Sequence, residues 1–534
     1  MATTAPGYTF HRRATGLLRG WSLWDAAIYA TLSINLVTLG FYIFSFAPFI
    51  PQGALIPAIL LSGIVLIAEV ITYAGLIAVL PRAGGDYLWM SRILHSSIAC
   101  LLALTGWWFI LWHWVPIYAN ILNFQLLQPI AFLSGSSGLL AWTNTPDSLF
   151  VLSFFVSVFA SLLIALGMRT YARFQNWSFY LGMVGLAIAI VLLALHDHDS
   201  FVRAYNAALA NAGYGDDAYR ATLTAGSLGE PTAGALSGDW YQTLLLFPML
   251  AFFNLWVSWG ATLYGEVRGA SDFRRNIYAM GGALVGTTIL AVVFLALFLR
   301  VVGVEFFYSV NNAYWSGSSD NPLPVWPYPI LLVSFLMDNT LLQIALILLC
   351  SLWFFGWCGT VFLSSTRVIF AAAFDRLLPE AVTKVSARGV PYVALLLMFI
   401  PSIPISYLYC YNEVFRTWTL DATVVIALSF VGSTIAALIL PWRRPSLYRS
   451  SPIVNYRVFG IPLISVGAAI FLGYLAFCLY QWLSKDVYGV NHPASLAYMA
   501  VLYVIALAIY IGARIYRARQ GLDLDAVYRE IPAE

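Results

Sequence analysis

Twelve uninterrupted apolar runs constrain this chain more than any other feature. A membrane-spanning helix needs about 20 predominantly apolar residues. The runs are Leu23–Phe49, Pro57–Leu80, Ile98–Leu127, Leu149–Met168, Trp177–Leu195, Tyr241–Leu263, Tyr278–Val302, Leu341–Phe374, Tyr392–Tyr411, Thr423–Leu440, Ile461–Leu483 and Ala494–Ile515. Strands of a membrane barrel alternate apolar and polar residues over about ten positions. Continuous runs of this length therefore predict helices. Soluble domains carry roughly 25% charged residues, whereas this chain carries 10% and is 61% hydrophobic. The sequence is that of an all-α polytopic membrane protein with twelve transmembrane helices. Its five cysteines lie inside or at the ends of apolar runs and read as small buried hydrophobes rather than a disulfide frame.

Charge placement tests the helix count. With a cytoplasmic N-terminus, all of the 27 basic residues fall on the inner side except Arg203, Arg220, Arg300, Arg416 and Lys485. Lys and Arg accumulate on the cytoplasmic side of membranes, and one missed helix would scramble the alternation after it. A plasma-membrane location with both termini cytoplasmic is expected, and no cleavable signal peptide. The net charge of +3 implies no nucleic-acid surface, and no Gly-rich phosphate loop occurs. Two long outer segments, His196–Trp240 and Gly303–Asp338, read as extracytoplasmic caps. His196-Asp197-His198-Asp199 has the composition of a metal tract, but its acidic loop setting favours a solvated segment, and no metal site or cofactor is expected.

An unpaired charge in hydrocarbon costs at least ~2.5–3.5 kcal/mol, so ionisable residues far from both interfaces are the first candidates for function. There are two. Glu69 lies midway along the second run and His113 midway along the third. Glu69 is either a proton or substrate relay, or a neutral carboxyl satisfied by a neighbouring hydroxyl. His113 reads better as a hydrogen-bonded packing residue. The first run carries Thr31, Ser33, Asn35, Thr38 and Gly40, and the sixth carries Pro248, Asn254, Ser258 and Gly260. Transporters built from inverted repeats break matching helices and bind ions and substrate at the freed backbone; small-residue helix packing produces similar patterns. The clusters Trp107-Trp108, Trp112, Trp114 and Trp353–Trp357 read first as interfacial or packing residues.

Three ordered motifs add a resemblance. Pro81-Arg82-Ala83-Gly84-Gly85-Asp86-Tyr87 follows the second run, with Gly106-Trp107 in the third. Tyr264-Gly265-Glu266-Val267-Arg268 follows the sixth. Ser364-Ser365-Thr366-Arg367, Asp375-Arg376-Leu377-Leu378-Pro379 and Arg388-Gly389-Val390-Pro391 accompany and follow the eighth. This order resembles the amino acid–polyamine–organocation permeases. The resemblance implies a LeuT-like 5+5 inverted repeat plus two C-terminal helices. That divides the chain into a cytoplasmic N-terminus (1–22), a first repeat (23–195), an outer loop (196–240), a second repeat (241–440), helices 11 and 12 (441–516) and a cytoplasmic tail (517–534).

The resemblance also implies secondary transport of an amino acid or related amine, with no catalytic residues. Substrate would be held at breaks near Asn35, Leu36, Val37, Thr38, Leu39 and Gly40 in helix 1, and near Phe253, Asn254, Leu255, Trp256 and Ser258 in helix 6. Half-helix N-termini suit a carboxylate and freed carbonyls an ammonium. Glu266, beside Arg268, Arg274 and Arg275, is expected in the cytoplasmic gate. Some proton-driven members carry a lysine in helix 5; the corresponding position here is about Gly182. A sodium site would combine helix 1 carbonyls with helix 8 hydroxyls, namely Ser351, Thr360 and Ser364, while Glu69 or His113 could serve a proton. The partners implied are a small molecule, H+ or Na+, and the lipid bilayer. A non-transporting sensor, or a carrier of another small organic solute, would leave the same motifs.

Overall fold

The computed structural model describes residues 16–419 and 422–531. The expected N-terminal segment 1–22 and tail 517–534 are thus described only from Gly16 and as far as Ile531. Twelve helices in it are long and apolar enough to cross a membrane. We number them α1 (Leu23–Phe44), α2 (Leu55–Val79), α3 (Ser96–Leu133), α4 (Pro146–Ala165), α5 (Met168–Leu195), α6 (Trp240–Glu266), α7 (Phe273–Val302), α8 (Thr340–Phe374), α9 (Tyr392–Tyr411), α10 (Ala422–Arg443), α11 (Leu463–Ser484) and α12 (Pro493–Arg519). The only strands among the described residues form a small hairpin pairing Arg457 with Pro462 and Val458 with Ile461.

Helix packing carries an internal symmetry. α1 packs against α7 and α6 against α2; α5 packs along α8 and α10 along α3; α4 packs against α9. Exchanging helices 1–5 with helices 6–10 maps each of these pairings onto another or onto itself. α11 adds to α10 and α2, and α12 covers α3.

The helices start and stop for local reasons. Ser22 and Asp25 form a reciprocal cap at the start of α1, satisfying amides that no preceding turn can reach. Gly167 separates α4 from α5 at φ +93°, a conformation that costs glycine nothing. α5 begins nine residues before the expected run, because the polar turn Arg169–Asn176 continues the helix at an end where water can reach it. The two long connections are largely helical: His198–Asn211 and Ala218–Ala225 in the first, Val304–Trp315 and Pro329–Ser334 in the second. They pack together through Tyr219 and Phe306, stacked at 4.5 Å. The His196–Asp199 tract is spent on local bonds: Asp197 caps a helix, and His198 lies 2.9 Å from the Val301 carbonyl. We call this side the loop face. The opposite, terminal face holds Gly16–Ser22, the loops after α2, α6 and α8, and a short helix Leu524–Arg529. All five cysteines are buried.

Candidate functional site

Among the described residues α1, α6 and α8 are interrupted near mid-bundle; α2 also carries a turn at Leu66, and α3 winds irregularly over Thr105–His113. In α1 the break is Asn35, at φ +47°, a left-handed conformation that asparagine tolerates better than most residues. Its Oδ1 accepts from the Thr38 amide at 3.1 Å, and its Nδ2 donates to the Trp353 carbonyl of α8 at 3.2 Å. A widened turn, Leu36–Gly40, follows. Gly40 is required by contact: a Cβ there would stand 2.9 Å from the Phe253 ring of α6. In α6 the regular helix ends at Asn254, and Leu255–Ser258 form turns before a 3-10 segment, Trp259–Glu266. In α8 the interruption is at Cys358–Gly359, which the sequence reading did not foresee. Tyr171 packs where a Cβ on Gly359 would lie.

Glu69 is fully buried and meets the break in α6, not the one in α1. Its Oε1 accepts from the Ser258 amide at 3.3 Å, and its Oε2 has no hydrogen-bond partner. Two turns earlier in α2, Ser62 accepts from Asn254 at 2.8 Å. His113 lies elsewhere. Its Nε2 is 2.9 Å from the Tyr498 hydroxyl of α12, and its Nδ1 is near the Phe109 and Ile110 carbonyls. Its bonds are to its own helix and to α12, and none of them reaches the residues at the breaks.

The surface between α1 and α8 is filled by the protein's own groups. The Thr360 carbonyl accepts from the Tyr29 hydroxyl at 3.1 Å and from Trp259 Nε1 at 3.2 Å. Ser364 Oγ is 2.9 Å from the Tyr29 hydroxyl and donates to the Trp259 carbonyl at 3.2 Å. At Gly182 of α5 a Cβ would fall 1.9 Å from the Trp353 ring, so no longer side chain fits there.

Between the breaks lies a cavity of about 20 Å³, room for about one water molecule. Half of its lining is aromatic, Trp114 and Tyr118 of α3, Trp256 and Trp259 of α6, and Trp357 of α8; the rest is Ser33, Leu39, Thr360, Val361 and Ile426. Of the residues expected to hold substrate, only Leu39 and Trp256 line it. Asn35 turns to α8 and Asn254 to α2, Phe253 packs on Gly40, and Leu36, Val37, Thr38, Leu255 and Ser258 are buried around the breaks. Trp114 and Trp357, read from sequence as packing or interfacial residues, are cavity walls. The signal for them was position: belts of tryptophan sit at interfaces, whereas these indoles fall mid-run at i, i+3 or i, i+4 spacing from another ring. Leu39 and Trp114 also face a larger vestibule of about 390 Å³ on the loop-face side, lined by Tyr42, Phe46, Phe252 and Tyr488 among others.

On the terminal-face side the bundle is shut. Glu266 pairs with Arg367 of α8, both fully buried, with Nε to Oε1 at 2.7 Å and Nη2 to Oε2 at 3.1 Å. Its expected partners Arg268, Arg274 and Arg275 bond elsewhere, to the Arg19 carbonyl, the Tyr456 hydroxyl and Asp272. The reason is reach: the 3-10 winding of Trp259–Glu266 turns the carboxylate inward to α8. Trp21 and Val267 bridge α1's approach to the same segment. A second buried pair joins Arg92 to Asp375, with Nη2 to Oδ1 at 2.7 Å. The tail helix closes over it: Tyr528 lies 3.1 Å from Tyr87, and Arg92 donates to the Glu530 carbonyl. Nearby Asp86 is buried; its Oδ1 accepts from Tyr73 at 2.7 Å and Ser433 at 2.6 Å, while its Oδ2 has no partner. Burial pushes the Asp86 carboxyl up to about 6, against the lowering effect of the two hydroxyls.

Matching interruptions in α1 and α6, a small cavity between them and one closed face are features of a carrier's binding region. A search of curated proteins finds no match. The family model for amino acid permeases matches residues 22–509, nearly the whole chain. The chain is a polytopic all-α membrane protein of the amino acid permease family, within the amino acid–polyamine–organocation superfamily.

Proposed function

We propose that the protein is a secondary carrier that moves an amino acid or related amine across the cell membrane by alternating access, driven by protons. The observation that carries this reading is the Glu69 carboxyl at the break of α6: one oxygen holds the Ser258 amide and the other is unpartnered. Among the described residues no cation pairs with it, so an ionised Glu69 would be an unpaired charge at membrane depth. Proton uptake and release there would bias the α6 break, and with it the path to the cavity. Sodium is the weaker reading, because of the three helix 8 hydroxyls only Ser351 Oγ has no partner: Ser364 Oγ is bonded to Tyr29 and the Trp259 carbonyl, and Thr360 Oγ1 lies 3.4 Å from the Tyr118 hydroxyl. In this reading the loop face is outside and the terminal face cytoplasmic, in keeping with the distribution of Lys and Arg.

Glu69→Gln in proteoliposomes tests the coupling, since glutamine keeps size and hydrogen bonding but cannot titrate. The variant is expected to exchange substrate at equal concentrations and to lose accumulation driven by a pH gradient. Surviving accumulation would place coupling elsewhere. Absence of counterflow for any bound solute in the wild type would point to a sensor. Orientation is tested separately: cysteines at Ser200 and Ser318 should react with an impermeant thiol reagent outside sealed cells, and one at Ser386 should not.

A further inference from the structure

Asp86 belongs to the Pro81–Tyr87 motif and has no part in the carrier reading above, yet it is fully buried. Two glycines put it there. Gly84, at φ +96°, donates its amide to the Thr262 carbonyl of α6 at 2.9 Å, and a Cβ on it would collide with Ala371 of α8. A Cβ on Gly85 would stand 3.0 Å from the Thr262 backbone. The absence of side chains at these two positions lets the loop after α2 enter the bundle. It carries the Asp86 carboxyl in to Tyr73 of α2 and Ser433 of α10, whose hydroxyls donate to Oδ1 at 2.7 and 2.6 Å. A buried carboxyl whose Oδ2 has no partner works against stability, and an apolar residue would pack there without that cost.

Tyr73 stands between two carboxyls. It lies four residues after Glu69, one turn along the same face of α2, and both side chains are fully buried. Glu69 Oε2 and Asp86 Oδ2 each lack a hydrogen-bond partner, and among the described residues no arginine or lysine pairs with either group. The other titratable groups facing them are Tyr474 of α11 and Cys478 beside it. Tyr474 offers no way onward, because its hydroxyl points to the Phe247 carbonyl at 3.5 Å, a group that takes no proton. The Tyr73 O–H is already aimed at a carboxyl oxygen. Burial brings the Asp86 carboxyl up to about 6, so it can take a proton and give it up near neutral pH. Its loop also touches the α6 and α8 segments that carry Glu266 and Arg367, so parting that pair is the event that would let water reach it.

We propose that Tyr73 and Asp86 form the proton exit from Glu69 toward the terminal face. Glu69 turns from the Ser258 amide and gives its proton to the Tyr73 oxygen as the Tyr73 O–H proton passes to Asp86 Oδ1. Glu69 is left ionised, Tyr73 neutral and Asp86 neutral; Asp86 then releases the proton to water at the terminal face. This rests on the proton-driven reading and adds the route by which its proton leaves.

Hydrogen–deuterium exchange followed by infrared spectroscopy tests it on the purified full chain in lipid nanodiscs, with D2O as the probe. The carboxyl carbonyl band lost in Glu69→Gln identifies Glu69, and the deuteration rate of that band is the readout. Tyr73→Phe and Asp86→Asn should each slow it by about a hundredfold or more, as expected for loss of a positioned proton-transfer group. Loosened packing would speed the exchange, so slowing separates a relay from a structural role. Tyr474→Phe should leave the rate unchanged. Asp86→Asn carries the test if Tyr73→Phe fails to fold. Unchanged or faster exchange in either relay variant, or equal slowing in Tyr474→Phe, would overturn the relay and leave the proton reading intact. If Glu69→Gln removes no carboxyl band, Glu69 holds no proton, and the proton reading falls together with the relay.

Discussion

At the terminal face the molecule is closed by charge: Glu266 on Arg367 and Arg92 on Asp375, four ionic side chains with at most 4% exposure. At the loop face an aromatic vestibule of about 390 Å³ stands open, and the contacts around it are ring packing and single hydroxyl bonds such as Tyr488 to the Leu245 carbonyl. The two ends differ in how they can move. A buried ion pair is directional, and each partner left alone is a buried charge, so such a contact is made or broken as a unit. An aromatic pair is worth only about 0.5–1.5 kcal/mol beyond the area it buries, and both offset-stacked and edge-to-face arrangements are favourable. We call the ion-paired terminal face the latch and the aromatic loop face the mouth.

The largest effect should come from breaking the latch. Arg367→Ala leaves Glu266 buried without its cation and should destabilise the protein by about 3–5 kcal/mol, read as a lower melting temperature. Removing both charges, as Glu266→Gln with Arg367→Met, should restore most of that loss. A double variant as unstable as Arg367→Ala would mean that shape, not charge, holds the latch. Glu266→Gln alone should change transport rate much more than binding affinity; unchanged uptake would reduce the pair to a packing feature.

A smaller effect is expected at Asp86. Its carboxyl is raised from 3.8 to about 6 in the folded protein, so ionisation works against the fold. The neutral form's contribution is present below 3.8 and is lost as pH rises through about 6. Melting temperature should therefore fall between about pH 4 and 7, by the equivalent of roughly 2–3 kcal/mol for this group. Asp86→Asn keeps the oxygen that Tyr73 and Ser433 donate to, and should lack that part of the decline. A parallel decline in the variant would assign the pH dependence to other groups.

Asp375→Asn should cost less than Arg367→Ala, about 1–3 kcal/mol, because Arg92 keeps the Ser91 hydroxyl and the Glu530 carbonyl. A loss as large as that of Arg367→Ala would make the two pairs equal members of the latch. The smallest effect belongs to the mouth: Tyr488→Phe removes one hydrogen bond and should cost at most about 1 kcal/mol. Thiol labelling compares the two ends directly. A cysteine at Ile117, in the vestibule wall, should react with an aqueous reagent, while one at Thr262, buried beneath the latch, should not until Arg367 is replaced. The opposite pattern would reverse the assignment of open and closed ends.

Much of this was legible before the fold. Spanning helices are written in contiguous sequence, because desolvation in a bilayer is set residue by residue along one helix; the twelve runs and twelve helices agree apart from their ends. The interruption of α1 was expected at Leu36–Gly40 and begins at Asn35, whose local preference for left-handed backbone is itself a sequence property. Gly182 as a place without a lysine was also readable. That the Trp353 ring fills the space was not, because Trp353 is 171 residues away in the chain (353 minus 182).

The sequence by itself determined the membrane class, the number of spans, the family motifs and the two intramembrane ionisable residues, since each depends on residue type and local spacing alone. Only the tertiary structure decided which group meets which. It sent Glu69 to the α6 break and His113 to Tyr498, gave Glu266 to Arg367 instead of its sequence neighbours, and turned mid-run tryptophans from several helices into one cavity wall. The physical reason is that a helix presents every side chain in a direction fixed by its own turn, but only the packing of the other helices decides what lies in that direction.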